Sequence, residues 1–373
     1  MSTELHVVLT RWRWGEARPL VEAEACMRRR LTKSGDRELP LHLALAAPST
    51  NAPPDDVVLK LLTAFPAASS CADCNGNLPL HLALRCRKPL PVLKRIAAEY
   101  PPALRARNTA GDLPLHLAVQ RLDEQQERCP FETLAWLVDN NPQACSSVDS
   151  AQELPLHAAV RAGATPPTVD LLVRQCSAAC RESDRHGDWP LHSAVRARAG
   201  LEVVELLLAA EAHAINVQCS RGQLPLHVGI VSRAAMGVLV ALFAAHPSAV
   251  RQRDRAGDLP LHLAMEHGPL ELVERLLLAY PESVAEPNHA GVPPIRWADQ
   301  MRAAQAAQAA QAAGGEEEAA PPVSRCAGVD AAQLLELLEV TAATNRAILQ
   351  HHESHHTLPG LSLPPFLSLS LPL

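Results

Sequence analysis

The chain has 373 residues, 47% hydrophobic, 20% charged and 3% aromatic, with a formal net charge of -6. With four Phe, five Trp and two Tyr, its interior must be built from Leu, Ala and Val, which suits closely packed helices better than a deep pocket. These figures exclude a collagen-like, disulfide-scaffold or wholly disordered chain, and the mild acidity gives no overall drive toward nucleic acid.

In chain order, residues 1–34 come first. Glu4 and the brief apolar stretch Val7-Val8-Leu9 do not make a signal-peptide core. This segment is expected to form an N-terminal cap, with Arg28, Arg29 and Arg30 on its wet side. From 35 to 313 the chain repeats itself. Leu-Pro-Leu-His ends at His42, His81, His116, His157, His227 and His262. A copy with Trp189 for the first Leu ends at His192, and a degenerate one reads Pro293-Pro294-Ile295-Arg296. The steps from His42 through to Arg296 are 39, 35, 41, 35, 35, 35 and 34 residues, giving seven full units and a degenerate eighth.

Other positions keep the same register. Gly76, Gly111, Gly187, Gly222 and Gly257 stand five residues before a motif His, and Gly291 before Arg296. Asp73, Asn108, Asp149, Asp184, Asp254 and Asn288 stand eight before. The spacing predicts a polar turn in which Gly supplies a positive φ, then a short apolar helix with Pro in its first turn. A second, amphipathic helix comes next, as at Val203-Val204-Glu205-Leu206-Leu207-Leu208. Pro66, Pro101, Pro142, Pro247 and Pro281 block its continuation. Helices this short cannot bury their apolar faces alone, so successive pairs must stack.

After the array, Gly314-Gly315, Glu316-Glu317-Glu318 and Pro321-Pro322 place a flexible linker at 314–327. Asp330 and Gln333 have capping-box spacing and open an amphipathic helix over 328–350. That helix either folds back on the end of the array or serves as a helix-in-groove ligand or dimerising helix. Residues 351–373, interrupted by Pro359, Pro364, Pro365 and Pro372, are expected to form a disordered tail. No segment has the roughly 20 uninterrupted apolar residues of a spanning helix. Ten cysteines without a framework fit reduced thiols in a cytoplasmic or nuclear setting.

The unit resembles the ankyrin repeat, a turn plus two helices in about 33 residues with a Thr-Pro-Leu-His core. The resemblance implies an all-α, ankyrin-type helical solenoid with short hairpin turns between helix pairs, and it places Gly163 and Gly268 between the two helices. Two departures stand out. The family's capping Thr is Leu in six copies, and the residue before it (Glu38, Asn77, Asp112, Glu153, Asp188, Gln223 or Asp258) is expected to cap the helix instead. The units are also roughly two residues longer than the family's, which predicts a longer turn around the helix-ending proline.

Catalysis has no candidate constellation, and no cofactor or metal site is expected. The seven motif histidines, His42, His81, His116, His157, His192, His227 and His262, would have to converge at roughly 2 Å on one ion. Stacked helices about 8–10 Å apart make them a ladder instead, each imidazole bonding backbone near its own turn and fixing the next unit. Cys71-Ala72-Asp73-Cys74 has half of a zinc spacing but no second pair. Cys176 and Cys180 are explained by packing. His351-His352-Glu353-Ser354-His355-His356 reads as a polar tract or an adventitious ion site.

Surfaces remain. By resemblance, partners bind along the concave face. Four residues after the motif His this face carries Arg85, Gln120, Arg161 and Arg196, with Arg121 beside Gln120, while hairpin tips add Arg185, Arg221 and Arg255. Val231 and Glu266 end the stripe. It reads either as a solvated helix face or as a platform for an acidic partner segment, Glu316-Glu317-Glu318 of the same chain among the options. The expectation is a non-enzymatic protein-interaction scaffold, cytoplasmic or nuclear, with a protein partner, no nucleic acid and no membrane span. A regulatory or tethering subunit with the C-terminal helix as second contact is the alternative, and a metal-dependent hydrolase a remote one. The partner's identity and the oligomeric state are not readable from the sequence.

Overall fold

The computed structural model describes residues 39–46, 54–120 and 130–296, together with 340, 341 and 343. The expected N-terminal cap, linker and tail, and nearly all of the 328–350 helix, lie outside the described residues. The chain divides into two compact units, Met1–Ala249 and Val250–Leu373. No strand occurs among the described residues.

In the first unit, inner and outer helices alternate. The inner ones are α1 (Pro40–Ala46), α3 (Pro79–Arg85), α5 (Pro114–Val119), α7 (Pro155–Arg161), α9 (Pro190–Arg196) and α11 (Pro225–Ser232). The outer ones are α2 (Asp55–Ala64), α4 (Leu90–Glu99), α6 (Phe131–Asn140), α8 (Pro166–Gln175), α10 (Leu201–Ala210) and α12 (Met236–Ala245). Each inner helix packs on the next along the unit. An inner helix is buried nearly all round: in α3 every residue from Pro79 to Leu84 is buried. An outer helix buries one stripe, such as Val92, Leu93, Ile96 and Ala97 of α4, and wets the rest, as an amphipathic surface helix does.

The helix ends arise from local chemistry. Leu78 is extended (φ -73, ψ 160) and Pro79 takes the first helical position, where its missing N–H leaves nothing unpaired. At the far end, Phe65, Tyr100 and Asn141 leave the helix at φ near -145 (-144, -145 and -148). The next residue is Pro66, Pro101 or Pro142, and each opens a five-residue 3-10 turn. The longer turn expected around the proline is this 3-10 element.

Where the hairpin opens with Asp or Asn, that one side chain knits it. Asp73 Oδ1 accepts the N–H of Asn75 at 2.8 Å and of Asn77 at 2.7 Å, and Asp149 and Asp184 repeat the pattern. Successive tips are bonded to one another: Thr109 N–H donates to Asn75 carbonyl, Ser150 N–H to Ala110 carbonyl and Ser220 N–H to His186 carbonyl. Gly111 sits at such a contact with φ +76, and a Cβ there would lie 2.7 Å from Ser150 N. Only glycine fits that approach.

The second unit holds the pair α13 (Pro260–His267) and α14 (Leu270–Ala279), a 3-10 turn at Pro281–Ala285 and a final hairpin. Asn288 Oδ1 knits this hairpin by accepting Ala290 and Val292 N–H, both at 3.0 Å. His289 N–H donates to Ala256 carbonyl. Beyond Arg296 only residues 340, 341 and 343 of the unit are described.

Candidate partner-binding cleft

The motif imidazoles set the frame. His81 Nδ1 accepts Leu78 N–H at 3.1 Å, and its Nε2 lies 3.1 Å from Ala106 carbonyl in the next turn. His42 faces Cys71, His116 faces Glu153, His157 faces Asp188, His192 faces Val217, and in the second unit His262 faces Val292, always through the backbone carbonyl. His227 likewise accepts Leu224 N–H, at 3.3 Å. A ring whose Nδ1 accepts and whose Nε2 meets a carbonyl is the neutral Nε2–H tautomer. It has no lone pair left for a metal or a substrate proton. Burial pushes His81, His116, His157, His192 and His262 below the ordinary imidazole value, outweighing the pull of nearby carboxylates and carbonyls.

The capping expectation needs correction here. In the described helices α3, α5, α7, α9, α11 and α13 the N-cap is the Leu or Trp itself, without a side-chain oxygen. The imidazole three residues on takes the N-cap N–H. Because the histidine fills the cap, the preceding carboxylate is available for other work. Glu153 receives Arg161, the last residue of α7. Asp188 receives Arg196, the last residue of α9, through two bonds of 3.0 and 3.1 Å. Asp112 accepts from Gln120 at 3.5 Å, and Asn77 and Asp258 join hairpin-to-hairpin bonds with Asn108 and Asn288. Glu38 lies outside the described residues.

Arg161 and Arg196 open onto a cleft of about 460 Å³ in the first unit, together with the tip residues Arg185 and Arg221. Four of the eight residues singled out in the sequence thus meet in one place. Arg185 donates its Nε to His186 at 3.1 Å, and both tip arginines are exposed. Four guanidinium groups face three carboxylates, Glu153, Asp184 and Asp188, so the cleft is much less basic than the arginines alone imply. Arg85 and Gln120 are half-buried and do not line the cleft, Arg255 is exposed in the second unit, and Arg121 lies outside the described residues.

Sequence reasoning missed the arginines six residues after the motif His. Arg87 and Arg198 hold φ of +54 and +57, where the resemblance led one to expect glycine. Arg87 Nη1 donates to Ala118 carbonyl at 2.8 Å, and Arg198 Nε to Ser232 carbonyl at 2.5 Å. Each places a cation on the orphan carbonyls that end the next inner helix. The eight-residue spacing of Glu153 to Arg161 and of Asp188 to Arg196 was the one available signal for the cleft pairs.

The other candidate chemistry does not assemble. Among the described residues, no three His, Cys, Asp or Glu side chains form a group able to hold a metal ion, and no helix is long and apolar enough to cross a membrane. None of the described cysteines is in a disulfide. Burial pushes the Cys145 and Cys180 thiols up to about 12 and about 11, which removes the thiolate that redox or metal chemistry needs.

Residues 115–219 match a family model described as ankyrin repeats (3 copies). No curated protein matches the chain. With turn, helix pair and bridging imidazole recurring through that stretch, residues 115–219 of the chain are ankyrin repeats.

Proposed function

We propose that the chain is a non-enzymatic interaction scaffold whose cleft holds an acidic segment of a partner protein. Ankyrin repeats are generally protein–protein interaction modules and typically non-enzymatic. The observation that carries the reading is the meeting of Arg161, Arg185, Arg196 and Arg221 around one cleft. Two of them are already held by carboxylates that are themselves buried, Glu153 at 4% and Asp188 at 5% exposure. Fixing a guanidinium before binding lowers the ordering cost of about 0.5–1.5 kcal/mol per side chain. The fork of a held arginine still points donors outward for a carboxylate. Arg185 and Arg221, on the tips, supply the excess charge.

The test is fluorescence anisotropy with labelled octaglutamate at low salt. Binding should be strong at low salt and weaken as screening rises, and Arg185→Gln with Arg221→Gln should weaken it about tenfold or more. Among the described residues these two side chains make no ion pair, so folding is preserved and checked by circular dichroism. Equal affinity of the wild type and the double variant would overturn the reading.

A further inference from the structure

We infer that the segment this cleft takes is an extended, polyproline-II stretch bearing a carboxylate at every third residue. The inference rests on the cleft being the binding surface, and adds the partner's conformation and spacing.

Arg161 and Arg196 occupy equivalent places, each the last residue of an inner helix, on α7 and α9, which pack side by side. Packed helices stand about 8–10 Å apart, so equivalent guanidinium groups recur at about that step. Their positions are tied down: Asp188 engages two N–H groups of Arg196, leaving three of its five donors for an incoming anion. The side chains remain 55% exposed for Arg161 and 40% for Arg196. The tip cations Arg185 and Arg221 lie on successive hairpins, which the bond from Ser220 N–H to His186 carbonyl joins.

A ligand that matches this step must return to the same face every 8–10 Å. Polyproline II rises about 3.1 Å per residue with three residues per turn, so every third side chain returns after roughly 9.3 Å. A β-strand returns after about 6.7 or about 13 Å, and both miss. An α-helix offers roughly 10.5 Å at seven-residue spacing. That step overshoots the range of about 8–10 Å, whereas polyproline II falls inside it. Charge decides between a peptide and a nucleic acid. Glu153, Asp184 and Asp188 within the cleft repel a continuous run of phosphates more than a ligand with one carboxylate in three residues.

Labelled peptides read by anisotropy test this. The first has four repeats of Glu-Pro-Pro. The second has the same composition with its four Glu consecutive, the third is helical with Glu at seven-residue spacing, and oligothymidylate is the fourth probe. The period-three peptide should bind at least about tenfold tighter than each other probe. The combination Glu153→Gln, Arg161→Gln, which removes the tether without stranding a charge, should abolish the preference. Equal binding of the first two peptides, or tighter binding of the helical peptide or oligothymidylate, overturns the inference. If the peptides bind alike and Arg185→Gln with Arg221→Gln still weakens them, the acidic-segment reading survives alone; if no peptide binds, both fall.

Discussion

His157 Nε2 lies 3.1 Å from the backbone carbonyl of Asp188, and the side chain of that same Asp188 holds Arg196 at the cleft. One imidazole therefore joins two repeats and positions the residue that fixes a cleft cation. Replacing His157 by Ala strands the buried Leu154 N–H and leaves the Asp188 carbonyl with one of its two donors, the Asp184 N–H. The buried orphan costs about 1–3 kcal/mol and the cavity left by the buried ring adds to it, so His157→Ala should lower stability by about 2–4 kcal/mol in urea titration. It should also weaken peptide binding, because Asp188 loses one of the bonds that anchor its backbone.

The imidazoles make stability depend on pH. In the unfolded chain they titrate near 6.5, and burial lowers them in the fold. Between the two values the unfolded chain binds more protons than the folded one. Stability is therefore full above about pH 6.5 and is lost as pH falls from there toward the folded values. The urea midpoint should be flat at mildly alkaline pH and drop steeply on acidification below about 6.5. A midpoint that stays level through that window would mean that the rings are not held neutral.

Arg198 separates backbone strain from side-chain bonding. At φ +57 a non-glycine residue is strained by roughly 1–2 kcal/mol. Arg198→Ala keeps the strain and loses the bond to Ser232 carbonyl, whereas Arg198→Gly loses the bond and the strain together. The Gly variant should exceed the Ala variant in stability by about 1 kcal/mol, read as the difference in urea midpoints. Ala equal to or better than Gly would contradict the strained conformation.

The repeat was legible because its residues act locally. Pro79 starts a helix, Asp73 knits its own turn, and Leu80 and Leu82 are buried; each effect lies within a few residues of its cause. The cleft was legible in part: the residue after each inner-helix turn named Arg161 and Arg196, and the turn tips named Arg185 and Arg221. What the sequence could not reveal was the work of Glu153 and Asp188. Whether a carboxylate caps a helix or holds an arginine depends on who else reaches the N-cap N–H, and His157 and His192 reach it first. The left-handed arginines Arg87 and Arg198 were hidden for a similar reason. Contacts with the next repeat set them, not the residues' own preferences.

The most direct measurement is on the arginine Nε–Hε signals of the chain during titration with the peptide of four Glu-Pro-Pro repeats. The signals of Arg161, Arg185, Arg196 and Arg221 should shift together and saturate with one affinity, while those of Arg174 on an outer helix and Arg255 in the second unit stay in place. Shifts spread evenly over all arginines, or absent from those four, would contradict the cleft as the binding surface.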